Sequence, residues 1–247
     1  TGGVEIGQGL ATKVAAVVAM TLGCDLSLVR VGETRTDKVP NSGCTGGSGT
    51  SESSCNAAIL ACQTLNTRLA PYRGNDKAWT AVVSAALSDN VELAATGWNN
   101  VNTGQEFDYA TYGVGFAEVE VDVLTGEVAV QDMTIHMDQG TSLNSDIDLG
   151  QLEGGVVMAL GDMFTDLNDV DSEGNQSAQG TWEYKPPLAS DIPLKFNVKM
   201  IRSPNPSPVA VLSSKASGEP PMQLAASMFI ATRNAIATAR EAFAGNT

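Results

Sequence analysis

GFAEVEVDVLTGEVAVQDMTIHM, residues 115 to 137, decides the fold class of this 247-residue chain. Gly115 to Val123 and Glu127 to Met137 alternate apolar and polar residues around Leu124-Thr125-Gly126-Glu127, the pattern of two strands joined by a hairpin. Upstream, Leu10, Val14, Val17, Val18 and Leu22 recur at helical spacing and stop at Gly23, which suits a left-handed C-terminal residue. Asp25 to Val31 alternates and is expected as a strand. After a loop rich in Gly, Ser and Thr from Asn41 to Ser51, a second helix is expected. Cys55, Ile59, Cys62, Leu65 and Leu69 form its buried stripe, and Glu52 lies in its first turn near the positive end of the dipole.

Downstream of the hairpin, Asp148 to Phe164 reads as a third helix, and Lys195 to Ile201 and Val209 to Ser214 as strands. The run from Pro221 reads as a long helix with Phe229, Ile236 and Phe243 on one face and Gly245 as its stop. Strands and helices do not alternate one for one. The expected class is therefore α+β, with mixed or antiparallel sheet and packed helices. Two subdomains are expected, residues 1–110 and 111–247, both parts of one larger domain.

Fourteen Lys and Arg against twenty-eight Asp and Glu give a net charge of -14, while 43% of the residues are apolar. The chain can bury a core, and its field repels nucleic acid and anionic membranes, so neither is an expected partner. An anionic ligand would have to be held by backbone N–H groups and polar side chains. Cys24, Cys44, Cys55 and Cys62 show no C-x-x-C pair and read as free thiols, which favours a reducing, cytoplasmic setting. VAAVVAMTLGC, residues 14 to 24, lacks a basic flank and reads as helix, not as a leader. No run reaches the roughly 18 apolar residues of a membrane span.

Loops of Gly and small polar residues run towards helices at Gly7 to Gly9, Thr45 to Ser51, Gly150 to Gly155 and Ser217 to Pro221. A helix start offers unpaired N–H groups and a positive dipole end, which hold a phosphate or oxo-anion without a basic side chain. One such junction is ordinary capping; the repetition is what suggests a shared anionic ligand. No P-loop and no G-x-S-x-G elbow is present, and His136 lies alone on an alternating strand, which disfavours nucleotide triphosphates and a Ser-His-Asp hydrolase. Glu219 precedes Pro220 and Pro221, so its backbone is stiff, as a general base requires; the same carboxylate would also suit the N-terminus of the helix that follows.

TGGVEIGQGLATK (1–13), ETRTDKVPNS (33–42), VDVLTGEV (121–128), SLNSDIDLGQLEGG (142–155), GTWEYKPP (180–187) with SDIP (190–193), and SSKASGEPPMQLAASMFIA (213–231) follow one another in the order of a known family. Together they resemble the C-terminal part of the molybdenum-cofactor domain of the molybdenum hydroxylases, the xanthine dehydrogenase and aldehyde oxidase family. Tyr72 to Phe107 is the least diagnostic stretch. The resemblance implies a molybdenum–pterin cofactor, molybdopterin with or without a nucleotide extension, and no metal ligand from the chain itself. It implies that Gln8 lies beside the molybdenum centre, and that Gly46, Gly47, Ser48, Gly49 and Thr50 hold the pterin and its phosphate. Gln151 would contact the pterin, with Ser217 and Gly218 beside the cofactor. Glu219 would be the base that removes a proton as oxygen from water is added to an electron-poor carbon.

Three positions depart from the family pattern: Ala11 stands where His is common, Gly46 and Gly47 replace an Ala pair, and Ser217 replaces Val. The resemblance further implies oxidative hydroxylation of a small molecule, a purine or other N-heterocycle or an aldehyde. Iron–sulfur clusters, FAD and the first half of the cofactor domain belong to remaining domains or subunits, in an enzyme that is a homodimer. The chain alone, read as a fragment or separate subunit, is expected to be inactive. Trp182 to Lys185 leans towards the xanthine dehydrogenase and aldehyde oxidase branch. A cofactor-free homologue serving as a binding or structural module is the alternative.

Overall fold

The computed structural model describes residues 1–74, 76–99, 107–166 and 168–244. The chain forms two compact units: Thr1–Tyr109 with Asn205–Ser214, and Ala110–Pro204 with Lys215–Thr247.

The first unit is helical. Helix α1, Leu10–Leu22, buries Leu10, Val14, Val17, Ala19 and Leu22, and Gly23 closes it at φ 66 with its N–H on Ala19 O. It packs along α2, Thr50–Leu69, whose buried residues include Cys55, Cys62 and Leu69. Helix α3, Trp79–Ser88, falls in the stretch whose sequence is least diagnostic; Val82 and Ala86 pack with Leu69 under Tyr72 and Trp79. The extended chain after α3 lies tight on α2: a Cβ on Gly97 would come 1.8 Å from Ala57 O, so only glycine fits.

Two expected strands are absent here. Asp25 accepts from Ser27 N at 2.8 Å and turns Leu26–Leu28 into a 3-10 helix, a local side-chain bond that outcompetes the alternating pattern. Val209 to Ser214 is a sequence of turns with Leu212 and Ser213 at positive φ. Its apolar residues are nevertheless inside, Val209 and Val211 being buried, and Val209 O accepts from Asn56 Nδ2 on α2.

In the second unit, β1 (Gly113–Val121), β2 (Val128–Asp138) and β3 (Lys195–Ile201) form a sheet in that order, β1 antiparallel and β3 parallel to β2. This is the mixed sheet of an α+β fold. The apolar residues of β2 change phase, Val128 and Val130 on one parity and Met133, Ile135 and Met137 on the other. A register shift opposite Glu118 and Val119 absorbs the change and keeps Val130, Met133, Ile135 and Met137 all buried.

Helices α4, Ser145–Phe164, and α5, Pro220–Ala244, complete the core, with Leu152, Val156, Ala159, Leu160, Ala225 and Met228 buried in one cluster with the inward residues of β2. α5 crosses β1 where side chains are missing: a Cβ on Gly115 would lie 2.7 Å from Leu224 O. The buried face of α5 is Pro221, Ala225, Met228 and Thr232; Phe229 and Phe243 are exposed, so the seven-residue aromatic spacing marks its outer side. Gly245, the expected stop, lies outside the described residues. No described helix is long and apolar enough to cross a membrane.

Candidate functional site

The four Gly-containing junctions differ sharply once folded. At the first, Glu5 occupies the start of α1: its carboxylate accepts from Gly7 N at 3.3 Å, Gly9 N at 2.8 Å and Ala11 N at 3.0 Å. Partial burial pulls the Glu5 carboxyl upward, but the bonds from Ala11, Gly9 and Gly7 and the charge of Lys13 outweigh it and hold it below its ordinary value. Gln8 is held locally as well, its Nε2 donating to Val4 O at 2.8 Å and its Oε1 accepting from Ile6 N at 2.7 Å.

The second junction keeps the form of an anion cradle. Gly47 and Ser48 are both left-handed, at φ 64 and 54, and Gly49 starts α2 with no side-chain cap. A Cβ on Gly46 or Gly47 would meet nothing within 4 Å. Side chains at these two positions would point into open space, so Gly47 is needed for its left-handed backbone and not for close packing. Val4 ties it to Gln8: Val4 N donates to Thr45 Oγ1 at 2.8 Å, and Val4 O accepts from Gln8 Nε2. Gly3 packs against Thr50 so closely that a Cβ would come 2.3 Å from Thr50 Cγ2. Gly46, Gly49 and Thr50 also line a cleft of about 770 Å³, within the size range of cofactor pockets.

Beneath the loop, Glu52 is buried and accepts from Tyr109 Oη at 2.5 Å. Desolvation pushes its carboxyl up, the Tyr109 bond opposes this, and the charge of Asp108 adds to it, leaving the pKa above the ordinary value. Burial pushes the neighbouring Cys55 thiol up to about 12, against the charge of Lys13, so it is inert packing.

The third junction is not a helix start. α4 begins at Ser145, capped by Asn144 Oδ1 on Ile147 N, so Gly150 to Gly155 lie inside the helix and Gln151 projects from its second turn. The sequence shows the true start as well: Asn144 with Asp146 and Asp148 behind it is an N-cap signal. At the fourth junction Pro220 and Pro221 occupy the first turn of α5 and supply no N–H. Glu219 is exposed at that helix start, with Ser217 buried and Gly218 half-buried behind it. Gly155, one turn beyond Gln151, touches this segment: a Cβ would come 2.6 Å from Pro221 Cγ and 3.0 Å from Gly218 O. Gln151 and the Ser217–Glu219 turn thus share one side of the second unit, as Gln8 and the Gly46–Thr50 loop are joined in the first.

The family model described as molybdopterin cofactor-binding domain matches residues 1–193. The chain belongs to this family. Xanthine dehydrogenase of Drosophila pseudoobscura pseudoobscura is 41% identical over 255 residues, 97% of this chain and 19% of the relative. Abscisic-aldehyde oxidase of Arabidopsis thaliana is 40% identical over 255 residues, again 97% of this chain and 19% of the relative. The chain thus spans about a fifth of the length of these curated relatives. CO dehydrogenase from Oligotropha carboxidovorans shares the fold, with a TM-score of 0.75 at 21% identity, covering 94% of this chain and 32% of that one.

The donor set of this molybdopterin-binding domain fits its cofactor. Among the described residues no three His, Cys, Asp or Glu side chains gather as a metal cage. A long helix that starts at a Gly-rich loop with no side-chain cap is compatible with a phosphate-bearing group that carries its own metal. Two features escaped sequence reasoning. Glu5 could have been found as an acid just ahead of a Gly-marked helix start, whereas the buried ion pair of Asp138 with Lys215 joins residues 77 apart and is too distant to be read.

Proposed function

We propose that the chain is the C-terminal cofactor-holding portion of a molybdenum hydroxylase. In that enzyme a purine, another N-heterocycle or an aldehyde is oxidatively hydroxylated, with water as the oxygen source. The observation that carries this reading is the start of α2, which has no side-chain cap and follows two left-handed residues, Gly47 and Ser48, beside a cofactor-sized cleft.

Gly46, Gly47, Ser48, Gly49 and Thr50 hold the phosphate and pterin through backbone donors, with Gln8 anchored beside them. Gln151 donates or accepts at the pterin from α4, with Ser217 and Gly218 lining the approach. When bound, the molybdenum–pterin group supplies the two-electron redox chemistry. Glu219 takes a proton during oxygen transfer. Its exposure leaves the carboxylate reachable, and Pro220 and Pro221 fix its backbone. Iron–sulfur clusters and FAD reside in other parts of a homodimeric assembly, so this chain by itself does not turn over.

Glu219→Gln in the assembled enzyme tests the assignment. Turnover falls by about 10²- to 10⁴-fold with molybdenum still bound; undiminished turnover removes Glu219 from the chemistry. A second reading, a cofactor-free binding or structural module, draws on the Gln8 amide, whose nitrogen and oxygen are both engaged with Val4 and Ile6. Metal analysis separates the two.

A further inference from the structure

Where β2 ends, Asp138 and Lys215 form an ion pair whose side chains are each only 4% exposed. Both carboxylate oxygens and both backbone N–H groups of the pair are hydrogen-bonded. Asp138 Oδ2 accepts from Lys215 Nζ, and Oδ1 accepts from Gly140 N at 2.8 Å. Asp138 N donates to Tyr112 O at 2.8 Å, while the Tyr112 ring lies 5.6 Å from the Lys215 ammonium. Lys215 is tied by its backbone too, its N–H donating to Gln139 O at 3.1 Å, and Gln139 N in turn donates to Ile201 O at 3.0 Å. Lys215 is therefore held directly by the end of β2, which Tyr112 before β1 and Ile201 at the end of β3 brace in turn.

A buried pair of this kind contributes little net stability, because desolvating two charges offsets their attraction, and apolar replacements are often as stable. What it does supply is position. Lys215 is fixed at backbone and side chain, and the chain then runs only through Ala216, Ser217 and Gly218 to Glu219. Just beyond, Pro221 is pressed on Gly155. Glu219 thus lies between two fixed points, one electrostatic and one steric, and a misplacement of about 1 Å in a reacting group can cost on the order of 10²-fold in rate.

We propose that the Asp138–Lys215 pair is a positioning clamp for the turn that carries Glu219. It deepens the reading of Glu219 as the base and rests on it. Neither residue touches substrate or cofactor; both act through the turn.

The test replaces both charges at once, Asp138→Leu with Lys215→Met, in the cofactor-loaded full enzyme. The clamp predicts unchanged molybdenum content, KM within about twofold, and kcat lowered at least about tenfold. Amide exchange across residues 216–219 becomes faster. In a Glu219→Gln background the pair of substitutions lowers kcat no further, because the lysine works through the glutamate. Wild-type kcat and exchange, with Glu219→Gln inactive, overturn the clamp and leave the base intact. A loss that multiplies with that of Glu219→Gln overturns it as well. If Glu219→Gln is itself fully active, the base assignment fails, and the exchange rates alone still decide whether the pair holds the turn. Should the double variant not assemble, Asp138→Asn replaces it: faster exchange with lowered kcat at constant KM supports the clamp, and unchanged values overturn it.

Discussion

Gly155 on α4 and Pro221 at the start of α5 are in such close contact that a single methyl group on the glycine would come 2.6 Å from the proline Cγ. Neither atom is at the end of a flexible side chain. The turn that presents Glu219 therefore takes its position partly from a residue with no side chain at all.

Gly155→Ala should push Pro221 and Gly218 away from α4. The gain in helix propensity, about 1 kcal/mol, is outweighed by an overpacking cost of about 1–3 kcal/mol. Urea unfolding should show a lowered midpoint with an unchanged slope. In the assembled enzyme kcat should fall more than KM changes. Gly154→Ala, where a Cβ would meet nothing within 4 Å, is the control and should be neutral or stabilising.

Exposed Glu5 and buried Glu52 of the first unit have opposite pH signatures. Glu5 has a folded pKa below its reference value of 4.5, so its contribution is present above pH 4.5 and is lost as pH falls through the folded pKa. Glu52 has a folded pKa above 4.5, so the stability linked to its neutral form is present below pH 4.5 and is lost as pH rises through the folded value. Glu5→Gln should remove the charge from this helix start, worth about 0.3–1 kcal/mol at an exposed position at neutral pH, and flatten the acid limb of a pH–stability curve. Glu52→Gln should flatten the decline above pH 4.5 instead. Thermal unfolding between pH 3 and 8 (roughly the carboxylate and histidine range) reads both.

Gln139 is 1% exposed, and among the described residues nothing hydrogen-bonds its amide nitrogen or oxygen. Leaving a buried polar group unsatisfied costs about 1–3 kcal/mol. Gln139→Leu should therefore raise the unfolding free energy, since the backbone bonds to Ile201 and Lys215 remain. A destabilised variant in chemical denaturation would show that the amide has a partner in the native protein.

Much of this fold is legible in the sequence because local physics and burial agree. Helix α1 with its Gly23 stop, the hairpin, and β3 at Lys195–Ile201 all follow from periodicity and turn residues. Where a side chain bonds its own backbone, the pattern misleads, as Asp25 does with Ser27. Where tertiary packing chooses among faces, it also misleads: α5 buries Ala225 and Met228 and leaves Phe229 outside, because small residues let it lie close on Gly113 and Gly115. The Gly46–Thr50 loop is legible as glycine demand for left-handed backbone. The placement of Gly150 to Gly155 inside α4 is not, since glycines mark loops more often than helix interiors. Lys215 was visible as a residue, but its partner Asp138 lies on a distant strand, and no local spacing could reveal the pair.

Metal and pterin analysis of the protein purified from its natural source, alongside Gly47→Val, decides whether this domain grips a molybdopterin through the loop before α2. Valine at φ 64 should strain the loop by about 1–2 kcal/mol. About one molybdenum per chain is expected in the native protein and clearly less in the variant, with the fold retained. A correctly assembled native protein with no molybdenum and no pterin would contradict it.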